Sequence, residues 1–255
     1  MKNTASSARV PLPAAGFDPA ALRQSRAWDL AMRLPVLSYS LFLALFSAAG
    51  LLRYLHPAEP AVPVGVFAIG LAMRASVIAY FVVLAASVIL RVRPKGRAEG
   101  VEPRLSALLG TFLMPAVVLF PRRDLSLAGE LVATLLVLGG NLLAVLILVQ
   151  LGRSFSIMAE ARRLVTSGLY RWVRHPLYLA EELAVIGIVL QFLSPWTALL
   201  LAIQIAFQLR RMANEERVLL ETFPDYLAYR QSTPMLFPGV RVRRCAAAHF
   251  PVPHG

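Results

Sequence analysis

The chain has 255 residues, is 58% hydrophobic and only 16% charged, with a mean hydropathy of +0.64. Uncharged apolar runs of about 18 or more residues are membrane spans, so a soluble domain fits poorly. Lys and Arg outnumber Asp and Glu by 26 to 14, but the basic residues lie between apolar runs, as in loops facing anionic lipid, and no nucleic-acid partner is expected. The single cysteine, Cys245, excludes an internal disulfide and a cysteine-based metal cluster.

Residues 1–33 read as a cytoplasmic tail. Their last part, "AALRQSRAWDLAMRL", has the pattern of a basic amphipathic helix lying on a membrane surface. No short apolar core with a small-residue cleavage site precedes the first long apolar run. Apolar runs at 35–55, 64–90, 105–121 and 127–150 predict four spans within a transmembrane region 34–150. The second run carries Arg74, and the fourth carries Glu130 and Asn141. Residues 177–208 are too long for one span and hold Ser194-Pro195 near their middle, which predicts a helical hairpin. Its first arm, 177–193, would be about 25 Å long, marginal for a hydrocarbon core of about 30 Å. The second arm reaches across if it continues to residue 214, with Arg210 and Arg211 snorkelling to the interface. Residues 240–255 read as a second tail. The expected fold is therefore an all-α integral membrane protein with four transmembrane helices and a C-terminal hairpin.

Charge predicts the orientation. The N-terminal tail, residues 91–104 and residues 151–176 each hold five Lys or Arg, and residues 209–255 hold seven. The opposite loops hold Arg53 alone and the pair Arg122 and Arg123. By the positive-inside rule both termini are cytoplasmic. The compact form points to a bacterial inner membrane, with the active site facing the cytoplasm.

Polar residues concentrate at 152–183 and 210–231, and the hairpin returns the chain to the side it left, bringing the two stretches together. His56, His175, His249 and His254 are scattered, so no metal is expected. His175-Pro176 suits a helix start, where the missing N–H of proline costs nothing. Tyr170, Trp172 and Tyr178 suit an aromatic belt at the interface. Glu181 and Glu182 lie one to two turns inside an apolar segment, where a carboxylate marks a cavity, a pair or a functional site. Pairing with Arg171 or Arg174 at headgroup depth is the plainer alternative. Glu215 and Glu216 follow Arg210 and Arg211 at the spacing of helical ion pairs.

Taken in order, Gly152-Arg153-Ser154-Phe155-Ser156, Gly168-x-Tyr170, Arg174-His175-Pro176-x-Tyr178, Glu215-Glu216 and Phe223…Tyr226…Tyr229 resemble the isoprenylcysteine carboxyl methyltransferase family. Its wider superfamily includes membrane phospholipid N-methyltransferases. The resemblance covers residues 151–239 and implies a cytoplasmic pocket for S-adenosyl-L-methionine and a lipid or lipophilic acceptor in the membrane. It makes His175, Pro176, Tyr178, Glu215 and Glu216 cofactor-pocket residues, with Gly168 and Tyr170 at the approach. Arg174, Glu216 and Glu182 are the candidate catalytic residues. Arg174 suits a carboxylate of cofactor or acceptor, and Glu182 or His175 would serve as base for an amine acceptor.

The sequence departs from the family at Leu169, where proline is frequent, at Ala180, where glycine is common, and at Glu181 and Glu182, where apolar residues are usual. Two other readings stay open. One is an NADPH-dependent membrane reductase of sterol-reductase-like type. The other is a non-enzymatic transporter or membrane assembly factor, with Arg74, Glu130, Asn141 and Glu182 as a polar path across the bilayer.

Overall fold

A computed structural model describes residue 30, residues 33–56 and residues 63–237. The expected tails, 1–33 and 240–255, and the surface helix within the first of them lie almost wholly outside these residues. The described chain is helical apart from one two-stranded ladder.

Helix α1, Leu34–Leu55, has Pro35 in its first turn, and α2, Val64–Leu90, follows Pro63. Proline there removes a donor that would have been unpaired and fixes a helical φ. Helix α3, Glu102–Phe112, gives way at Pro115 to a 3-10 turn, Met114–Leu119. Helix α4, Leu127–Leu151, is capped by Ser126, whose hydroxyl accepts from the Gly129 amide at 3.3 Å. It stops at Gly152, whose φ of +51° lies in the left-handed region. Helix α5, Pro176–Gln191, starts on the proline that the sequence marks. Helix α6, Pro195–Thr222, opens on a reciprocal capping box between Ser194 and Thr197. A short α7, Tyr226–Ser232, completes the order. The ladder pairs β1, Gly96–Arg97, with β2, Glu160–Ala161, antiparallel, with Gly96 opposite Ala161.

Helices α1, α2 and α4 are long and apolar enough to cross a bilayer. Their outer faces keep Leu41, Phe42, Phe46, Leu142 and Leu146 exposed, as a lipid-facing surface does. These are the features of a multi-pass membrane protein. The segment expected to span at 105–121 differs from a span helix, because Pro115 ends the α-helical hydrogen bonding. Its contacts nonetheless run the depth of the hairpin. Glu102 meets Arg210 and Asn214 at one end, and the Arg123 amide donates to the Gln191 carbonyl at the other.

The hairpin turns at Ser194-Pro195 as expected, but each arm packs chiefly on another helix. Helix α5 lies along α4, and α6 lies along α3. The α4–α5 seam is built from small residues. A Cβ on Gly140 would stand 2.5 Å from the Ala184 nitrogen, and one on Gly187 would stand 2.7 Å from the Ala133 carbonyl oxygen. Close backbone approach of this kind is how helices associate where lipid removes most of the hydrophobic drive. The main core joins Val36, Leu84, Ile147, Leu148 and Leu177 across four helices. That packing fixes the start of α5 relative to the end of α6, where the site lies.

Candidate active site

The Arg174-His175 dipeptide is held from both sides. Its amides donate to the carbonyls of Pro234 and Met235, at 2.9 and 3.1 Å, so the chain after α7 returns beneath the start of α5. The side chains of both residues turn to one carboxylate. His175 Nε2 is 3.1 Å and Arg174 Nε 2.9 Å from Glu216 Oε1, and Arg230 Nε is 3.3 Å from Glu216 Oε2. Glu216 is buried, at 6% exposure. Burial alone would raise its pKa, but the His175 hydrogen bond and the charges of His175, Arg174 and Arg230 outweigh it, so the carboxyl titrates below its ordinary range. Arg174 also donates from Nη1 to the Arg230 carbonyl at 2.8 Å.

One turn along α6 from Arg211, Glu215 faces the same space. Tyr178 donates its phenol proton to Glu215 Oε2 at 2.7 Å, and the Arg211 guanidinium lies over the Tyr178 ring at 4.9 Å. These groups border a pocket whose wall also includes Phe155, Tyr170, Arg174, Tyr226 and Tyr229. Tyr229 donates to the Tyr170 carbonyl at 2.6 Å. Burial, opposed by Arg174 and aided by Glu216, pushes the Tyr229 phenol up to about 12. Tyr170 and Tyr226 are raised as well, each first by burial and then by neighbouring carboxylates. All three are neutral phenols near pH 7.

The structure brings Tyr170, Arg174, His175, Tyr178 and Glu215 to the pocket wall. Glu216 lies behind it, reached through Arg174 and His175. Pro176 starts the helix beneath the wall. Gly168 shapes the approach instead of lining it: its φ is +60°, and the Gln150 amide fills the space a Cβ would need. Gln150 Oε1 accepts from the Leu169 amide at 3.2 Å, and Gln150 Nε2 donates to the Ser167 carbonyl. Proline at 169 would lose that amide, so Leu169 and Gln150 form a local unit. Glu182 is on another face of α5, accepting from Gln204 Nε2 at 2.7 Å.

Three features escape the sequence reading. Arg211, expected to snorkel, is 4% exposed and donates to the Ile157 carbonyl and Thr111 Oγ1, at 3.0 and 3.1 Å. Its i,i+4 relation to Glu215 is the signal that could have placed it at the pocket. Arg210 is exposed and pairs with Glu102 at 2.7 Å. Glu160 on β2 joins the wall, held by Arg97, Arg162 and Ser156 at 3.2, 2.6 and 2.8 Å. That contact depends on a ladder too short to leave a strand pattern.

Fold and site together define a helical multi-pass membrane protein with a charged, tyrosine-walled pocket where two helix ends meet. Residues 132–221, which carry most of the pocket wall, match the isoprenylcysteine carboxyl methyltransferase (ICMT) family, the family that the motifs resemble. Among curated relatives, the chain is 36% identical over 84 residues to the cobalt-zinc-cadmium resistance protein CzcN of Cupriavidus metallidurans, covering 32% of this chain and 38% of that protein. It is 29% identical over 92 residues to the nickel-cobalt-cadmium resistance protein NccN of Alcaligenes xylosoxydans xylosoxydans, covering 36% and 43%. The matched stretch thus spans less than half the length of either relative.

Proposed function

We propose that the protein is an integral-membrane, S-adenosyl-L-methionine-dependent methyltransferase acting on a lipophilic acceptor, carboxylate or amine, at the cytoplasmic interface. The observation that carries the reading is the pairing of Tyr178 with Glu215 in a pocket that Arg174 also lines. The donor set fits the cofactor. Glu215 suits its cationic amino group, Arg174 suits its carboxylate, and the tyrosine wall suits an adenine face. When bound, the cofactor supplies an electrophilic methyl group. The chain's own residues bind, orient and exclude water, the principal tasks in an in-line displacement.

Arg174 and His175 act as holding groups whose directions are set by Glu216, which is a positioning residue in this reading. The positive-inside distribution of Lys and Arg supports a pocket open to the cytoplasm. The relatives' names supply a setting, metal resistance, in which such a methylation would act.

Calorimetry on the detergent-solubilised protein tests the reading. S-adenosylhomocysteine should bind with a Kd in the micromolar range, and His175→Ala or Glu216→Ala should remove that binding. A folded sample with no detectable binding would sink it. Radiolabelled methyl transfer on membranes with and without the protein, followed by lipid extraction, shows which fraction carries the label.

A further inference from the structure

Glu181 and Glu182 are adjacent in sequence, but the helix sends them to different neighbours. Glu182 turns to α6 and Gln204. Glu181 turns to α2, where Tyr80 donates its phenol proton to Glu181 Oε1 at 2.9 Å. Glu181 follows Tyr178 by three residues, so the two share a face, with Glu181 about 4.5 Å deeper along α5. It therefore lies between the charged pocket and the apolar interior.

The rings around Tyr80 continue that face. Tyr80 meets Phe81 edge-on at 5.1 Å, Phe81 meets Tyr39 of α1 at 6.1 Å, and Tyr39 meets Phe112 of α3 at 4.7 Å. Arg211 and Glu215 act on Glu181, and the neighbouring Glu182 carboxylate interacts with it as well; Arg211 is already engaged by Ile157, Thr111 and the Tyr178 ring. A carboxylate held by a phenol, at the end of a run of aromatic rings in edge-on contact, within a largely apolar segment, has the chemistry of a site for an organic ammonium.

We propose that Glu181 and Tyr80 form the acceptor site and that the acceptor is a lipophilic amine, with Glu181 receiving its proton. This rests on the methyltransferase reading for the reaction, though not for the binding. An ammonium–carboxylate pair taken out of water moves toward its neutral form. The ammonium gives one proton to the Glu181 carboxylate. The freed nitrogen lone pair then forms the new C–N bond while the donor's C–S bond breaks and its electron pair stays on sulfur. The positive charge lost by the sulfonium appears on the methylated nitrogen. A carboxylate acceptor would meet the negative charge of Glu181 at the same place and be repelled.

The simplest alternative is a structural tie between α2 and α5. Glu181→Gln separates the two, because glutamine keeps an oxygen for Tyr80 and removes only the charge. The experiment is calorimetry in maltoside micelles near neutral pH, with dodecylamine and dodecanoate as probes and empty micelles as reference. The wild type should bind dodecylamine at least tenfold more tightly than dodecanoate. Glu181→Gln should abolish that preference, and Glu181→Asp should keep part of it. Equal binding of the two probes by the wild type, or an unchanged preference in Glu181→Gln, overturns the proposal.

S-adenosylhomocysteine is titrated in parallel and should bind Glu181→Gln within twofold of wild type. If the wild type binds the amine selectively but not S-adenosylhomocysteine, the methyltransferase reading falls while the amine site stands. If S-adenosylhomocysteine binds and, in a parallel assay with methyl-labelled S-adenosyl-L-methionine, label goes to dodecanoate and not dodecylamine, the amine acceptor falls while the methyltransferase reading stands.

Discussion

His175 Nε2 stands 3.1 Å from Glu216 Oε1, across 41 residues of sequence. That contact, with Arg174 and Arg230 on the same carboxylate, locks the first turn of α5 to the last turns of α6 and to α7. One buried anion therefore holds three elements that carry pocket side chains. Removing one partner of a buried charge group costs about 3–5 kcal/mol, because the rest stays desolvated and unpaired. Glu216→Ala should lower thermal stability in detergent by that order.

The same carboxyl sets an acid limit. Its folded pKa lies below the ordinary 4.5, so its stabilisation is complete above that value and is lost as pH falls through the depressed folded value. Wild-type melts recorded between about pH 3 and 7 should show a stability limb below about pH 4.5. Glu216→Gln should flatten that limb. An identical acid limb in both proteins would place the acid sensitivity elsewhere.

Tyr178→Phe removes the phenol that donates to Glu215 at 2.7 Å while keeping the ring under Arg211. A hydrogen bond to a charged group contributes about 1.5–3 kcal/mol. Thermal stability should fall by about that amount, and affinity for S-adenosylhomocysteine should fall severalfold by calorimetry on the folded variant. Unchanged affinity would separate the Tyr178–Glu215 pair from cofactor binding.

Much of this site was readable in the chain because it depends on local rules. Pro176 and Pro195 mark helix starts, Ser194-Pro195 marks the hairpin turn, and a hairpin returns its two ends to one side. Those facts were enough to bring Tyr178 and Glu215 together. Other features depend on rotation about a helix axis fixed by distant packing. Arg211 faces inward because α6 packs on α3, where Arg211 reaches Thr111 and Gln208 stands against Gly110, and no local pattern states that. The split between Glu181 and Glu182 has the same origin, since adjacent residues on a helix diverge by about 100° and packing decides which one meets Tyr80. The 105–121 run is less regular than its apolar composition suggests, because Pro115 turns the α-helix into a 3-10 turn.

Gly140→Ala tests whether the α4–α5 seam positions the site. Alanine in a helix gains about 1 kcal/mol over glycine from propensity. Here its methyl group would stand 2.5 Å from the Ala184 nitrogen and 2.7 Å from the Ala180 carbonyl oxygen, both backbone atoms that cannot swing aside. Overpacking of this kind costs about 1–3 kcal/mol, so the clash should win. The melting temperature should drop and cofactor affinity should weaken with it, because α5 carries His175 and Tyr178. Gly139→Ala, with open space at its Cβ position, is the matched control and should be neutral or slightly stabilising.

Glu182 and Gln204 present a different case. Gln204 Nε2 donates both to Glu182 Oε1 at 2.7 Å and to the Gly110 carbonyl at 3.2 Å. Glu182 Oε2 and Gln204 Oε1 are buried and have no hydrogen-bond partner among the described residues. Two acceptors are thus left facing a shortage of donors, and each such orphan costs about 1–3 kcal/mol. Glutamine at 182 brings an amide oxygen for Gln204 Nε2 and an amide N–H for Gln204 Oε1. Glu182→Gln should therefore leave stability unchanged or raise it by about 1 kcal/mol, and should leave methyl transfer intact. Glu182→Leu, which removes the acceptor as well, should destabilise by a similar amount. Melts of both variants alongside a transfer assay make the comparison: loss of transfer in a well-folded Glu182→Gln protein would mean that the charge of Glu182, and not its hydrogen bonding, is what the protein uses.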